Sequence, residues 1–210
     1  FLKIGESIFL TTDGLIEEKL KNKDEIYGEK RVTNKLRKNY KFPASYIISD
    51  IKSDYNYLTN KFQGNDDITM FSIKRQAKII DNFSITVKTD FEYIYSLQET
   101  IFHFLKPYYN HLHELWVGVF EALINAAEHG NQMDPEKNIK IEIIVKTNYI
   151  QITIKDEGKG FNWEKKLNDN YNTKQDDLKE RGRGLMLIQK ACDHIWHNEK
   201  GNKINLIFEV

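Results

Sequence analysis

Glu121, Asn125 and His129 recur at steps of four within LWVGVFEALINAAEHGN, residues 115–131, a stretch that is otherwise largely apolar or small. Residues four apart on an α-helix stack nearly above one another, so a carboxylate, a carboxamide and an imidazole share one stripe. Burying an unpaired carboxylate is costly. Glu121 must therefore be solvated, hydrogen-bonded or turned toward a cavity that holds something. Taken alone, the stripe also has a purely structural reading, in which Glu121 pairs with Asn125 on a half-exposed edge and His129-Gly130 closes the helix. Downstream, four of the chain's 11 glycines fall in two small clusters, Gly158 and Gly160 in DEGKGF and Gly182 and Gly184 in ERGRGL. Glycines gathered in this way mark places where backbone must come close to something. Neither cluster is a dinucleotide fingerprint. Each lacks the third glycine, and the strand before DEGKGF reads as half of an antiparallel hairpin rather than part of a parallel strand-helix-strand unit.

The elements that must position these groups follow from periodicity. FSITVKTD predicts a strand, residues 91–109 and 112–129 predict helices, and IKIEIIVKT with YIQITIKD predict a hairpin turning near Asn148-Tyr149. A polar stretch from Asn162 to Glu180 separates the two glycine clusters, LMLIQKACDHIW predicts a helix, and KINLIFEV a last strand. Residues 1–75 read as strand, helices, strand, with SIFLTT closed by the turn signal Asp13-Gly14, helical stretches around GEKRVTNKLRKNY and from Ala44 to Phe62, and ITMFSIKR preceded by Gly64-Asn65-Asp66-Asp67. The pattern restarts around residues 76–80, which places a domain boundary there.

Composition narrows the partners. Lys plus Arg and Asp plus Glu both number 31, so no net field favours nucleic acid or an acidic membrane surface. The 210 residues, 40% hydrophobic, suffice for one large or two small packed domains. A single cysteine, Cys192, excludes an internal disulfide and fits a reducing compartment, and LIQKACDHIW places it in a helix core. No apolar run approaches the roughly 18 residues of a membrane span. The chain opens FLKIGESIFL, without Met and inside an element, which reads as a fragment.

The three pieces in order, EALINAAEHGN, DEGKGF and ERGRGLMLI, resemble the ATP site of the GHKL ATPase superfamily, and within it the bacterial anti-sigma-factor serine kinases. The resemblance spans about residues 79–210 and implies an α+β fold, a two-layer α/β sandwich. It implies ATP (or ADP) with Mg²⁺ as cofactors. Asn125 would be the Mg²⁺ anchor, suited to an ion that prefers oxygen ligands and keeps waters. Asp156 would accept a hydrogen bond from the adenine amino group, and Gly158 and Gly160 would let the strand end approach the base. Gly182 and Gly184 would present backbone N–H groups to the phosphates at a helix N-terminus, with Arg183 and Arg181 adding charge. His129 would be a pocket-wall residue, and residues 162–180 a lid over the nucleotide. Glu121 would be the general base toward a protein hydroxyl. A histidine-kinase reading fits less well: in HFLKPYYNHLHEL, His103 and His111 have no acidic residue beside them, and His113, followed by Glu114, stands in the helix predicted over residues 112–129 rather than on the upstream dimerisation helix such a phosphoacceptor needs.

In the first part, TTDGLIE and QGNDDITMFSI resemble the C-terminal part of PPM-type serine/threonine phosphatases of the stage-II-sporulation-E branch. That implies Asp13 and Asp66 as ligands of a two-metal Mn²⁺ or Mg²⁺ centre, while Asp67 is not assigned. The remaining metal aspartates of that family lie in a portion this chain does not contain, so the segment is expected to be inactive by itself. The resulting expectation is a phosphatase-type segment, residues 1–76, and a complete ATP-binding module, residues 77–210. Together they form a cytoplasmic regulator of the partner-switching kind. Its kinase substrate would be a serine or threonine of an anti-sigma-factor antagonist, with a sigma factor as competing partner, and the module would form a homodimer. The alternative is a module that binds nucleotide and sequesters a partner without phosphotransfer.

Overall fold

A computed structural model of the protein describes residues 2–3, 6–21, 24–59, 67–75, 78–161 and 183–210, the side chain of Arg183 excepted. The chain divides into two compact units, Phe1–Ala77 and Lys78–Val210.

The first unit runs β1 (Ser7–Thr11), α1 (Asp13–Glu17), α2 (Glu29–Asn39), α3 (Ala44–Leu58) and β2 (Met70–Lys74). The two strands pair antiparallel, Ile8 opposite Ile73 and Leu10 opposite Phe71. The turn expected at Asp13-Gly14 is instead the start of the short helix α1, with Thr12 as its extended N-cap. Leu15, Tyr27, Val32, Ile47, Ile51 and Tyr55 make the unit's core, with Phe9, Leu36 and Met70 packed against it. Two carboxylates on α3, Asp50 and Asp54, hold α2 through Lys35 at 3.1 and 3.4 Å, and Asp54 accepts a hydrogen bond from the Tyr27 hydroxyl at 2.9 Å.

The second unit is built on a five-stranded, wholly antiparallel sheet in the order β3-β4-β5-β7-β6, where β3 is Ile79–Lys88, β4 Asn138–Lys146, β5 Tyr149–Asp156, β6 His194–His197 and β7 Lys203–Glu209. Its helices are α4 (Phe91–Leu105), α5 (Leu112–Asn125) and α6 (Arg183–Ala191). Alternation makes the layers. Ile85, Ile141, Ile154 and Ile204 face one another in register across four strands, as do Phe83, Ile143, Ile152 and Leu206. All of them join one apolar cluster with Ile94, Leu97, Ile101 and Leu105 of α4, Leu115, Val119, Ala122 and Leu123 of α5, and Ile188 of α6. The three- and four-residue spacings on the helices and the two-residue spacing on the strands are the periods needed to present one face each. Asp90 caps α4, its carboxylate accepting from the Glu92 N–H at 2.8 Å. The opposite sheet face is polar at its centre, where the Thr153 hydroxyl donates to Asn205 at 2.9 Å. This is the two-layer α+β arrangement expected.

A helix of this unit also ends earlier than expected. The helix read through LMLIQKACDHIW stops at Ala191, and His194–His197 form β6, paired antiparallel with β7.

Candidate functional site

Asn125 ends α5, but the coil does not end there. Ala126–Gly130 form a π turn, closed by the Asn131 N–H donating to the Ala126 carbonyl at 2.8 Å. A π turn winds less per residue than an α-helix, so the stripe that joins Glu121 to Asn125 does not continue in step. Glu121 and Asn125 are half-buried, and His129 is exposed. Beyond the turn Gln132 and Met133 both adopt left-handed backbone, φ 59° and 55°, uncommon for residues with a Cβ. The Met133 N–H bonds back to the Ala127 carbonyl at 2.8 Å, which reverses the chain toward β4 within a few residues.

The first residues of α6 come up against the polar pair on α5. A methyl group placed on Gly184 would lie 2.9 Å from Glu121 Oε2 and 3.5 Å from Asn125 Nδ2. The absence of a side chain at Gly184 lets the N-terminus of the helix, with its outward N–H groups, stand close to both without displacing the Glu121 carboxylate. Arg183 begins the helix. Gly182, Arg181 and the 162–180 stretch expected to form a lid lie outside the described residues.

At the other end of the π turn stands Asp156, the last residue of β5. It is 8% exposed, and its Oδ1 accepts from the Gly158 N–H at 2.8 Å. Its backbone is paired with Asn202 of the β6–β7 turn. The Asp156 N–H donates to the Asn202 carbonyl at 3.1 Å, and Asn202 Nδ2 donates to the Asp156 carbonyl at 3.0 Å. Gly130 and Gly158 are interlocked around the carboxylate. A methyl on Gly130 would collide with Asp156, its oxygens lying 2.6 and 2.7 Å away, and one on Gly158 would strike the Gly130 carbonyl. Gly160, φ +77°, packs against the Lys200 carbonyl, so the DEGKG loop is seated on the same β6–β7 turn.

Burial lifts the Asp156 carboxyl above the ordinary carboxylate range, opposed less strongly by the Gly158 N–H and by Lys200 and Lys137. Glu157, next in the chain, is held low because the Asn138 backbone N–H and carboxamide donate to it. The Cys192 thiol is pushed up to about 12 by burial and donates to the Ile188 carbonyl at 3.0 Å. A neutral thiol is a poor nucleophile.

The structure thus brings Glu121, Asn125 and Gly184 together where α5 enters the π turn, and Asp156, Gly158 and Gly160 beyond its far end. Sequence reasoning missed Asn131, Thr89 and Asn202. Asn131 is completely buried, with its carboxamide bonded to three separate segments. The one available signal was an amide following the helix-ending glycine in EHGN, which says nothing about distant partners. In the first unit, exposed Asp13 heads α1 and accepts from the Gly14 N–H at 3.1 Å. The Thr12 hydroxyl, one residue before it, donates to the Asp67 carbonyl at 3.0 Å, so this end of the β1–β2 ribbon carries both aspartates. Asp66 lies outside the described residues. Among the described residues no group of three or more His, Cys, Asp or Glu is placed to hold a metal ion, and no helix is long and apolar enough to cross a membrane.

Comparison with known proteins finds a separate family for part of each unit. The family of histidine kinase-like ATPase domains matches residues 109–208, and that of stage II sporulation protein E matches residues 1–76. An anti-sigma F factor of Geobacillus sp. (strain WCH70) is 30% identical over 105 residues, 50% of this chain and 71% of the relative. Anti-sigma F factors of Oceanobacillus iheyensis, 30% identical over 91 residues, and Bacillus cytotoxicus, 32% over 92, are each matched over 43% of this chain and 62% of their own length. A solved structure of the RsbU and RsbW domains of Rv1364c from Mycobacterium tuberculosis aligns with 99% of this chain and 53% of its own, at 19% identity and a TM-score of 0.43. By its likeness to the Geobacillus relative the chain belongs to the anti-sigma-factor family built on the histidine kinase-like ATPase domain, here following a segment of the stage II sporulation protein E type.

Proposed function

We propose that the second unit is an ATP- and Mg²⁺-dependent protein kinase module of a partner-switching regulator, which phosphorylates a serine or threonine of an anti-sigma-factor antagonist. The observation that carries this reading is the Glu121–Asn125 pair held against Gly184 at the start of α6. A Cβ on Gly184 would crowd that cradle, which sets the Glu121 carboxylate and the Asn125 carboxamide beside the first turn of α6. Such a set fits a phosphate chain and its cation. Asn125 would hold Mg²⁺, which neutralises phosphate charge when bound. Glu121 would accept the proton of the incoming hydroxyl while that oxygen bonds to the γ-phosphorus and the bond to the bridging oxygen of ADP breaks. Asp156, at the far end of the π turn, would accept the adenine amino group, an interaction that guanine cannot reproduce.

A sigma factor is the proposed competing partner, a homodimer the proposed assembly and the cytoplasm the proposed location. The first unit is read as part of a phosphatase-like domain, in which Asp13 and Asp66 alone are too few ligands for a two-metal centre.

The test uses the whole chain with labelled ATP, Mg²⁺ and a candidate antagonist. Asp156→Asn should weaken ATP binding by about 10- to 100-fold. Glu121→Gln should keep binding and lower transfer by at least about 100-fold. Equal ATP affinity in wild type and Asp156→Asn would sink the assignment of the base site. Undiminished transfer by Glu121→Gln would remove the proposed base.

A further inference from the structure

We infer that Asn131 is the positioning residue that sets adenine selectivity, by fixing the Asp156 loop to the helix end that carries Asn125. The inference rests on the nucleotide-site reading above and adds to it a residue that touches no part of the nucleotide.

Asn131 has no exposed surface, and a carboxamide in such a place must have its polar atoms satisfied. Nδ2 donates to the Thr89 hydroxyl at 2.7 Å and to the Asn138 carbonyl at 3.0 Å. Oδ1 accepts from the Glu157 N–H at 2.8 Å. The three partners belong to the corner between β3 and α4, the first residue of β4, and the turn immediately after β5. Thr89 is itself tied to the same place, its hydroxyl donating to the Lys137 carbonyl at 3.0 Å. Glu157 adds a second bond to Asn138, accepting its backbone N–H at 2.9 Å. One side chain therefore joins the end of the π turn to the loop whose first residue is Asp156.

The direction of the Asp156 carboxylate depends on that joint. It lies against Gly130, the residue before Asn131, at a separation that leaves no room for a Cβ, and Gly158 is seated on the Gly130 carbonyl. If the Glu157 N–H loses its acceptor, the Asp156–Gly158 turn keeps its bonds to Asn138 and Asn202, but neither of these ties it to the end of the π turn that carries Gly130. The carboxylate then loses its fixed direction while remaining on β5. No other residue type replaces all three bonds. Aspartate keeps the acceptor but supplies no donor and brings charge into a closed site, and serine reaches fewer partners.

The experiment measures ATP and GTP affinities by competition against a fluorescent ADP for the whole chain as wild type, Asn131→Ala, Thr89→Val, Thr89→Ser and Asp156→Asn, with thermal unfolding of each. A general loss of folded protein lowers both affinities equally and leaves their ratio unchanged, so the ratio separates positioning from mere stability. Wild type should prefer ATP by at least about tenfold, and Asp156→Asn should abolish that preference. Asn131→Ala should bring the two affinities to within about threefold of each other in protein still folded at the assay temperature. Thr89→Val should shift the ratio the same way by less, and Thr89→Ser should restore it. Failure of wild type and Asp156→Asn to differ would overturn the nucleotide-site reading itself. With that difference present, an unchanged ratio in folded Asn131→Ala overturns the role of Asn131. Should Asn131→Ala not fold, an unchanged ratio in Thr89→Val overturns it equally.

Discussion

Along β5 the positions facing the helices read Ile150, Ile152, Ile154 and then Asp156, so the carboxylate occupies a place that strand alternation reserves for an apolar side chain. A charge so placed works against folding. Burial raises the pKa of Asp156 in the folded state above its unfolded value, and the folded protein therefore favours the protonated form. The associated stability is present below the ordinary carboxylate value, about 3.9, and is lost as pH rises through the raised folded value. At neutral pH the buried Asp156 carboxylate is a net cost to folding. Asp156→Asn should therefore raise the unfolding temperature of the nucleotide-free chain by a few degrees at pH 7, since a carboxamide oxygen can still accept from the Gly158 N–H. The gain should vanish as the pH is lowered through about 4. Thermal unfolding of both proteins at the two pH values checks this, and a lower midpoint for Asp156→Asn at pH 7 would contradict it. In wild type, ATP affinity should begin to fall with decreasing pH before ordinary carboxylates titrate, because protonation turns the oxygen not engaged by the Gly158 N–H from an acceptor into a donor.

Helix α5 places its chemistry on one flank and its packing on another, and the second depends on Gly118. A methyl there would lie 2.9 Å from the Cβ of Ala191, so α5 and α6 touch almost backbone to backbone. This contact sets where the N-terminus of α6, with Gly184, meets Glu121 and Asn125. Gly118→Leu should cost about 1–3 kcal/mol through overpacking and weaken nucleotide binding, since α6 must move to admit the side chain. Urea unfolding and an ADP titration measure the two effects, and a Gly118→Leu chain with wild-type stability and affinity would show that the contact is slack. Gly118 carried no signal in the sequence beyond its place in an apolar run. By contrast, β4 and β5 were legible because strict alternation over eight or nine residues fits no helix. Glu121 and Asn125 were legible because four-residue spacing is local. The end of α6 was not: ACDHIW continues the apolar run of LMLIQK, and four residues cannot separate a helical period from a strand's when the deciding partner, β7, comes later in the chain. The π turn was hidden as well, since Ala126 and Ala127 suit an α-helix equally well. Asn131 was least legible of all, because its meaning depends on Thr89, Asn138 and Glu157, which only the completed sheet brings to one point.

Each unit of the molecule has its own apolar core, and the two differ in quality. Among its described residues the second unit packs three helices on a five-stranded sheet. The first has a smaller cluster, and its two-stranded sheet leaves Ile8, Leu10, Phe71 and Ile73 at 45%, 59%, 53% and 46% exposure, all four on one face. A two-stranded ribbon is marginal without cover, and among the described residues α3 packs against the side bearing Phe9 and Met70. The units are therefore expected to melt separately, the first at the lower temperature. Every group assigned to the nucleotide belongs to the second unit, so ligand linkage should act on that unit alone. With Mg²⁺ and ADP at about 100 times the dissociation constant, the upper transition gains about 2.7 kcal/mol, and the lower one stays in place. Scanning calorimetry of the whole chain with and without Mg-ADP reads both. A single transition moved as one by nucleotide would show that the units fold cooperatively. A shift confined to the lower transition would place the nucleotide in the first unit and contradict the site built on Asn125 and Asp156.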